Sequence, residues 1–381
     1  MTTVGSSIQV LYRGRLEYLQ AHDFDITAVC ASSDLDSAIR GRGLRLHTAP
    51  LTRSISPWQD LRALWNLWRF LRRERFDLVE VGTPKAALLG SIAARLAGVP
   101  CIVHLLHGLA YQGQRGLVRR IVRWSTAWPC RLANCTISVS PSAKEQAQQD
   151  GVCTADRIRV LGAGSCNGVD LDRFTPERRS LGTEVRSRYN IPTDATVIGF
   201  VGRMTRDKGL IELVEAFQTL GDQHPDLVLL LVGDYEHRDR PPADVIDRIA
   251  NHAQIRHVGW QEDPVPYLAA ADVVVLPSYR EGLPGVLLEA AALGLPAITT
   301  DATGCRDAVR NGVTGLMVLV GDAEALRRAI GRLAEDGDLR RQMGQNARQW
   351  VAERFDQKRV WATCAEEYRR LAFATDPWLG G

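Results

Sequence analysis

The sequence predicts an α/β protein of two Rossmann-like domains in tandem, each with a parallel sheet and both facing a central cleft. Three observations predict it: the length, the alternation of short apolar runs with longer amphipathic stretches, and a cluster of small polar residues midway. With 381 residues, the chain is long for one hydrophobic core and sufficient for two. It is 45% apolar and 24% charged, as expected of a folded globular protein.

Short apolar or β-branched runs predict strands, and the amphipathic stretches between them predict helices. This alternation implies right-handed βαβ units, and therefore parallel sheets whose ligands lie beyond the carboxyl ends of the strands. The predicted strands are Ile26–Cys30, Leu78–Val81, Cys101–Leu106 and Cys135–Val139 in the first half, and Val197–Val201, Val228–Val232, Ile255–Val258, Val273–Pro277 and Ala297–Thr300 in the second.

The join between the domains is expected near Gly162–Asp170, where Gly, Ser and Asn cluster. This gives a first domain of residues 1–165 and a second of 166–355, with a final helix, 356–381, returning to the first domain. A doubly wound domain should open with a buried strand. The chain opens instead with Val4-Gly5-Ser6-Ser7, which is typical of the loop after such a strand, so the first strand is expected to be absent.

No apolar run approaches the ~20 residues that span a bilayer, and the amino terminus lacks the features of a signal peptide. The eight cysteines show no C-x-x-C spacing, which predicts reduced thiols and a cytoplasmic location. Charge is uneven: residues 1–165 hold 21 basic and 12 acidic residues, a net +9, and the remainder holds 26 and 32, a net −6. An anionic partner of the first half would explain this asymmetry.

Three motifs follow predicted strands. The first, Glu281-Gly-Leu-Pro-Gly-Val-Leu-Leu-Glu289, predicts a tight turn opening a helix whose free N–H groups and positive dipole end suit a phosphate. Glu289 would lie on the first turns and could accept hydrogen bonds from ribose hydroxyls, and Glu281 could hold hydroxyls of a transferred sugar. The alternative is an ordinary helix start whose acidic residues complement the dipole.

The second motif is Gly202-Arg203-Met-Thr-Arg-Asp-Lys208-Gly209. A cation pair at the carboxyl end of a strand fits a diphosphate clamp, with Arg203 binding in bidentate fashion and Lys208 as a point charge. It is not a P-loop, and surface cations near a helix start are common. The third motif, His104-Leu-Leu-His107-Gly108, would point His107 into the cleft. His104, inside the strand, is expected to be structural, and a lone histidine such as His107 often is as well.

Together and in this order, the motifs resemble the retaining glycosyltransferases of family 4, which have the two-domain GT-B fold. The resemblance covers nearly the whole chain. Its E-x7-E element, with G-R-x4-K-G upstream, is specific for fold and donor class and says little about the acceptor. The matching segments are Gly82-Thr-Pro-Lys-Ala, Leu106-His-Gly108, Asn167-Gly-Val-Asp170, Gly202-Arg203 through Lys208-Gly209, Val232-Gly-Asp234, and Pro277-Ser-Tyr-Arg-Glu-Gly282 through Glu289.

The resemblance implies that Arg203 and Lys208 bind the donor diphosphate, Glu289 its ribose and Glu281 the transferred sugar, with His107 near that sugar. His107, Arg203, Lys208 and Glu281 would then be the catalytic residues. The first loop of the family matches here with Ser6 after Gly5, where a paired glycine is usual. The implied donor-binding set is Gly5, Ser6, Gly202, Arg203, Lys208, Gly282, Leu283, Pro284, Gly285 and Glu289.

Preorganised cations and a helix N-terminus can stabilise a departing diphosphate without a metal. No Asp-x-Asp is placed to chelate Mg²⁺, so neither a metal nor another cofactor is expected. The resemblance further implies retention of anomeric configuration, with the leaving phosphate deprotonating the acceptor on the same face. UDP-sugars are the favoured donors, followed by GDP-sugars.

The acceptor is expected to meet the first domain. Pro57–Arg75 and Gln114–Arg131 combine tryptophans with arginines at helical spacing. Three interpretations stay open: tryptophans in the core with arginines in water, contact with an anionic membrane at its inner face, or binding of a soluble anionic acceptor. Lys85 could contact an anionic acceptor such as a polyprenyl diphosphate, or it could be solvated. No nucleic-acid partner is expected.

The predicted function is transfer of a sugar from a nucleotide-diphosphate donor to a hydroxyl or lipid-linked acceptor in polysaccharide or glycoconjugate assembly. Decoration of a small secondary metabolite and a non-catalytic homologue that binds a membrane or a protein are the alternatives. A nicotinamide dehydrogenase is disfavoured because no G-x-G-x-x-G follows a strand. The paired motifs argue against an epimerase, and no pyridoxal phosphate lysine of a phosphorylase is identifiable.

Overall fold

The computed structural model describes residues 1–52, 54, 56–221 and 223–374, which form two compact units. Unit 1 comprises Met1–Gly168 and the described residues from Gln357 to Ala374, and unit 2 comprises Val169–Asp356. The chain therefore leaves unit 1 inside the segment Gly162–Asp170, three residues after the predicted boundary at 165. No helix in the described ranges is long and apolar enough to cross a membrane.

The strands of unit 1 are short and pair in parallel. All four strands predicted in this half are present. Two further strands were not predicted, because Arg45 and Arg159 interrupt their short apolar runs. The strands are β1 (Thr27–Cys30), β2 (Arg45–Thr48), β3 (Leu78–Val81), β4 (Cys101–Leu106), β5 (Cys135–Ser138) and β6 (Ile158–Val160).

Residues 1–3 occupy the place of a strand between β1 and β3. The Thr2 N–H donates to the Val29 carbonyl at 2.9 Å, and the Gly82 N–H donates to the Met1 carbonyl at 3.1 Å. The α-amino group of Met1 donates to the Glu80 carbonyl at 2.6 Å. No strand is assigned at the expected first position; residues 1–3 instead connect β1 and β3 through these few hydrogen bonds.

Beyond residues 1–3, a gap remains between β1 and β3. It continues as a cavity of about 690 Å³ towards the amino ends of these two strands. Its lining includes Thr27, Leu78, Tyr368 and Phe373. Among the described residues, β1 pairs only with β2 and β3 only with β4. The backbone groups of Thr27 and Leu78 that point into the gap therefore have no strand partner.

Seven α-helices precede the join in the part of unit 1 that the structure describes. The sequence placed residues 4–7 in a loop, whereas the first helix already begins at Gly5, whose backbone packs against Ser33; an added Cβ would lie 2.9 Å from the Ser33 Oγ. The helices are α1 (Gly5–Leu11), α2 (Arg15–Gln20), α3 (Asp36–Gly41), α4 (Pro57–Glu74), α5 (Pro84–Ala97), α6 (Gly116–Leu132) and α7 (Pro141–Gln149). Helices α4 and α6 both pack against α5.

Unit 2 contains a six-stranded parallel sheet in the order β12-β11-β10-β7-β8-β9. All five strands predicted here are present, and the run of β8 is buried throughout, as expected of a strand covered on both faces. The strand β12 was not predicted, since its half-exposed run is short. The strands are β7 (Thr196–Val201), β8 (Leu227–Val232), β9 (Ile255–His257), β10 (Val273–Leu276), β11 (Ala297–Thr300) and β12 (Gly315–Val318).

The strand order of unit 2 reverses at β7. The chain adds β8 and β9 on one side of β7 and then places β10 on the other side. The connections that leave β7 and β10 consequently diverge from adjacent strands. In open α/β sheets such a switch point opens a crevice at the carboxyl ends of the strands, where ligands bind.

The helices of unit 2 are α8 (Gly182–Arg188), α9 (Leu210–Gly221), α10 (Ala243–Asn251), α11 (Val265–Ala270), α12 (Gly285–Ala292), α13 (Ala323–Glu335) and α14 (Gly337–Phe355). Two have aspartate caps. The Asp322 carboxylate accepts from the Ala325 N–H, and the Asp336 carboxylate accepts from the Leu339 N–H, each at 2.8 Å. Such caps satisfy N–H groups that the helix leaves unpaired.

The last helix, α15 (Gln357–Ala374), belongs to unit 1. The Trp361 Nε1 donates to the Asn167 Oδ1 at 2.8 Å, and Tyr368 is buried beside Arg15 and Glu80. The sequence predicted a helix over 356–381; its last seven positions, 375–381, lie outside the described residues.

Candidate active site

The two glycine-rich loops of unit 2 leave neighbouring strands. The loop 202–209 follows β7, and the loop 277–284 follows β10 and leads into α12. Strands β7 and β10 pair directly, with Val273 opposite Ile198. Both loops therefore lie at the switch point of the sheet, where a ligand site is expected.

Glycines let these loops approach each other and the next strand closely. Gly209 has φ +71°, and a Cβ there would lie 2.1 Å from the Pro277 carbonyl oxygen. Gly233, after β8, has φ +140°, and a Cβ there would lie 1.9 Å from the Gly202 carbonyl oxygen. No other residue type fits either position without a shift of the backbone.

The structure brings Lys208 and Glu281 together. The Lys208 ammonium contacts the Glu281 Oε1, and each side chain is only 14% exposed. The fully buried Ser278 donates its hydroxyl to the same oxygen at 2.9 Å. A cation and a carboxylate predicted from separate motifs thus form one partly buried, hydrogen-bonded pair.

Arg203 lies nearer the surface and pairs with Glu236, a residue that the sequence analysis did not single out. Its side chain is 58% exposed, so the guanidinium is accessible to a ligand. Arg203 and Lys208 are thus each held by a carboxylate. Two cations with carboxylate partners at one strand end give the site a mixed charge.

The helix predicted after Glu281 is α12. It begins at Gly285, and its N-cap residue, Pro284, supplies no side-chain hydrogen bond to the first N–H groups. A Cβ built on Gly285 would meet no atom within 4 Å, so the space beside the helix start is open. Glu289 lies half-buried on the second turn.

Asp207, which was not predicted as a site residue, joins the two loops. Its Oδ2 accepts from the Arg280 guanidinium at 2.8 Å, its Oδ1 from the Thr205 hydroxyl at 2.6 Å, and its carbonyl from the Tyr279 N–H at 2.9 Å. Burial would raise the pKa of Asp207, but the Thr205 hydroxyl and the Arg280 guanidinium lower it. The sequence did contain a signal for this role: Asp207 is an acidic residue between Arg203 and Lys208, the two cations of the predicted diphosphate clamp.

In unit 1, His107 directly follows β4. Its Nε2 atom is buried without a hydrogen-bond partner among the described residues. Burial lowers the pKa of His107 to about 4, so the imidazole is neutral near pH 7. A Cβ on Gly82 would lie 2.8 Å from this nitrogen and 2.9 Å from the Tyr12 hydroxyl. His104 is buried inside β4, the structural position predicted for it.

Lys85 lies at the first turn of α5. Its ammonium is 2.6 Å from the Asp60 Oδ1 and 3.1 Å from the Thr52 hydroxyl, and its side chain is 14% exposed. It ties α5 to α4 and is not solvated. The remaining predicted donor-binding residues of unit 1 begin α1, where Gly5 is buried and Ser6 is exposed.

A buried ion pair that was not predicted adjoins His107. The Arg15 guanidinium lies 2.7 Å from the Glu80 Oε2, and the Tyr12 hydroxyl donates to the Glu80 Oε1 at 2.6 Å. Burial would raise the pKa of Glu80, but Arg15 and the Met1 α-amino group lower it to about 2. This carboxylate is therefore charged within unit 1.

Two family models match the chain. The model of the glycosyl transferase 4-like domain matches residues 12–164, and the model described as glycosyl transferases group 1 matches residues 183–350. Among the described residues, no group of three or more His, Cys, Asp or Glu side chains could hold a metal ion.

The chain is 31% identical to the capsular polysaccharide biosynthesis glycosyltransferase CapM of Staphylococcus aureus, over 97% of this chain and 95% of CapM. It is 29% identical to the UDP-Gal:alpha-D-GlcNAc-diphosphoundecaprenol alpha-1,3-galactosyltransferase of Escherichia coli, over 92% and 90%. The crystal structure of Anabaena HepE in complex with UDP and glucose is similar in fold, with a TM-score of 0.78, 20% identity and coverage of 97% and 98%. The chain is thus a glycosyltransferase with the two-domain GT-B fold, and it belongs to the group 1 glycosyltransferases.

Proposed function

We propose that the enzyme transfers a sugar from a UDP-sugar, with retention of anomeric configuration, to a saccharide or lipid-linked acceptor in polysaccharide or glycoconjugate assembly. One observation carries the donor assignment: Arg203 and Lys208 lie at the carboxyl end of β7, and the adjacent strand β10 leads into the α12 start that lacks a side-chain cap. Paired cations beside a helix N-terminus suit the diphosphate of a nucleotide sugar. The resemblance to family 4 supports retention.

In this proposal Arg203 and Lys208 bind the diphosphate, Glu289 the ribose and Glu281 the transferred sugar. Gly202 and the turn from Gly282 to Gly285 bring backbone close to phosphate and sugar. The Lys208 ammonium has three donor hydrogens, so it can hold Glu281 and a phosphate oxygen together. The complex of HepE with UDP and the UDP-Gal donor in the name of the Escherichia coli relative support uridine as the base.

The bond between the anomeric carbon and the phosphate oxygen breaks as the bond to the acceptor oxygen forms. Positive charge develops on the sugar, and negative charge develops on the departing diphosphate, which Arg203, Lys208 and the α12 dipole stabilise. The acceptor proton passes to the leaving phosphate on the same face. The resemblance to family 4 further assigns His107, which is neutral at pH 7, to the donor sugar, and Gly5 and Ser6 to the diphosphate.

A lipid-linked acceptor is favoured by two relatives: CapM is named for capsular polysaccharide biosynthesis, and the Escherichia coli relative is named for a diphosphoundecaprenol acceptor. Such an acceptor would bring the enzyme to the inner face of the cytoplasmic membrane. Lys85 is less suited to the anionic acceptor than expected, because Asp60 already neutralises it.

The donor assignment is tested by thermal shift and calorimetry with UDP, GDP, dTDP, ADP and NAD, then with their sugar conjugates. We expect a selective rise in melting temperature with UDP. Because UDP, GDP, dTDP and ADP differ only in the nucleoside, a selective response identifies the nucleoside that the enzyme binds. A selective response to GDP would show that the donor nucleoside is guanosine and not uridine. If the folded protein shows neither a thermal shift nor binding heat with any nucleotide, the proposed donor site is contradicted. NMR of the first product formed tests retention.

We further propose that transfer needs no metal, because cations and a helix dipole take its place at the leaving group. Activity should be unchanged after dialysis against EDTA, measured by release of UDP from the donor. A loss that Mg²⁺ or Mn²⁺ restores would contradict this proposal.

A further inference from the structure

Exposed aromatic side chains concentrate on two helices of unit 1. Four tryptophans are largely exposed in the described part of the chain: Trp58 and Trp65 on α4, Trp124 on α6, and Trp260 in unit 2. Trp58 is 84% exposed. Aromatic side chains cover large apolar areas, so three of them on the two helices that pack against α5 mark an interaction surface.

The outward face of α6 is an apolar stripe. Leu117, Ile121 and Trp124 follow one another at helical spacing, and their exposures are 69%, 47% and 55%. Ala127 and Cys130 of the same helix pack into a buried cluster of unit 1. Since those two residues lie on a different side of the helix, the stripe points away from the body of the unit.

Helix α4 repeats this arrangement. Trp58, Leu61 and Trp65 form an exposed stripe, while Ala63 and Leu67 are fully buried on the other side. Arg69 places its guanidinium 5.5 Å from the centre of the Trp65 ring. Because α4 and α6 both pack against α5, the two stripes belong to one layer of helices.

Cationic side chains border both stripes, and neither helix adds an unpaired acidic side chain. No Asp or Glu lies between Glu80 and Glu145, so α6 has no carboxylate. The two acids of α4 are neutralised, Asp60 by Lys85 and Glu74 by Arg73. The exposed arginines are Arg62, Arg69, Arg72 and Arg73 on α4, and Arg115, Arg119, Arg120 and Arg123 at α6.

We propose that the outward faces of α4 and α6 bind the surface of an anionic phospholipid bilayer. Tryptophan and leucine side chains enter the boundary between headgroups and acyl chains, and the flanking arginines pair with lipid phosphates. A second copy of the chain is a poorer occupant, because it would set arginines against arginines. The proposal does not depend on the donor site.

Sedimentation with lipid vesicles tests it. The full chain, without donor, should bind vesicles of phosphatidylcholine mixed with phosphatidylglycerol and not vesicles of phosphatidylcholine alone. High salt should release it, because screening weakens the arginine contacts. Failure to bind the anionic vesicles at low salt would overturn the proposal and leave the proposed transferase untouched, since UDP binding is measured separately.

Matched variants locate the surface. The triple variant Leu117→Gln, Ile121→Gln, Trp124→Gln and the pair Arg119→Gln, Arg120→Gln should each lower the vesicle partition coefficient by about tenfold or more. All five side chains are exposed, so the melting temperature should be unchanged. Trp260→Gln, and the pair Arg328→Gln, Arg341→Gln on helices of unit 2, are the controls and should bind as the parent chain does.

Equal binding by the α6 variants and the controls would overturn the assignment of the surface. So would concentration-dependent dimerisation, seen by analytical ultracentrifugation without lipid and lost in the triple variant. That result would make a second copy the partner.

Discussion

At the scale of single residues, Lys208 and Glu281 depend on each other. Each is mostly buried, and their contact offsets the cost of removing both charges from water. Substituting one leaves the other without its partner in a partly buried place. The pair is therefore both a structural contact of the loops and the proposed centre of sugar and phosphate recognition.

The variants Arg203→Ala and Lys208→Ala should each lower kcat/KM by about a hundredfold or more, because each removes a cation from the leaving group. Arg203 is exposed, so the melting temperature of its variant should stay within about 1 °C. Steady-state kinetics and thermal unfolding measure both effects.

Arg206→Ala is the matched control, since Arg206 lies on the same loop but donates its Nε–H to the Arg240 carbonyl at 2.8 Å. Near-normal kcat/KM in Arg203→Ala, or an equal loss in Arg206→Ala, would contradict the clamp.

Asp207 is a positioning residue in this scheme. Asp207→Asn keeps the size of the side chain but removes the charge that holds Arg280, so the loop carrying Glu281 should lose its fixed position. We expect the KM for the donor to rise by about tenfold, the effect of losing roughly 1.4 kcal/mol of binding. Asp244→Asn, an exposed aspartate paired with Arg248 on α10, is the control. An unchanged KM in Asp207→Asn would assign Asp207 a purely structural role.

At the scale of elements, nine strands could be predicted from apolar runs in the sequence. The strands β2, β6 and β12 could not, because their runs are short or contain a charged residue. The glycine-rich loops with Arg203, Lys208 and Glu281 were recognisable because each follows an identifiable strand. The contact of Asp207 with Arg280 was not, because it depends on two loops that are distant in sequence and adjacent only in the folded sheet. The pairing of Lys85 with Asp60 could not be predicted either, because the two residues lie on different helices and meet only in the folded protein.

The gap between β1 and β3 predicts an effect of adding chain before Met1. An extension of four apolar, β-branched residues should occupy the cavity as a parallel strand and pair with the open backbone groups of Thr27 and Leu78. The melting temperature should rise by about 4 °C or more. A Gly-Ser extension of equal length is the control, and equal melting temperatures for the two extended chains would contradict this account of the gap.

At the scale of the whole molecule, two histidines of unit 1 limit stability in acid. Burial lowers the pKa of His104 from 6.5 to about 3 and that of His107 to about 4, so protonation favours the unfolded chain. Their contribution is complete above pH 6.5 and falls as the pH decreases from there, towards 4 for His107 and towards 3 for His104. The Glu80 carboxylate adds a second loss below its usual pKa of 4.5, down to about 2.

The free energy of unfolding, measured by urea titration at several pH values, should therefore decrease below pH 6.5. His107→Gln should flatten part of this decrease, and His22→Gln, at an exposed histidine, should not. A pH profile of His107→Gln that matches the parent chain would show that this imidazole is not held neutral by the fold.

The cavity in unit 1 also bears on aggregation. Unpaired strand edges are templates on which strands of other chains can add, and here the edges of β1 and β3 face each other across the gap between two sheets. Residues at the end of α15, among them Tyr368 and Phe373, line that cavity. Helix α15 thus shields the open edges of β1 and β3, and fraying of α15 would expose a site where strands of other chains can add.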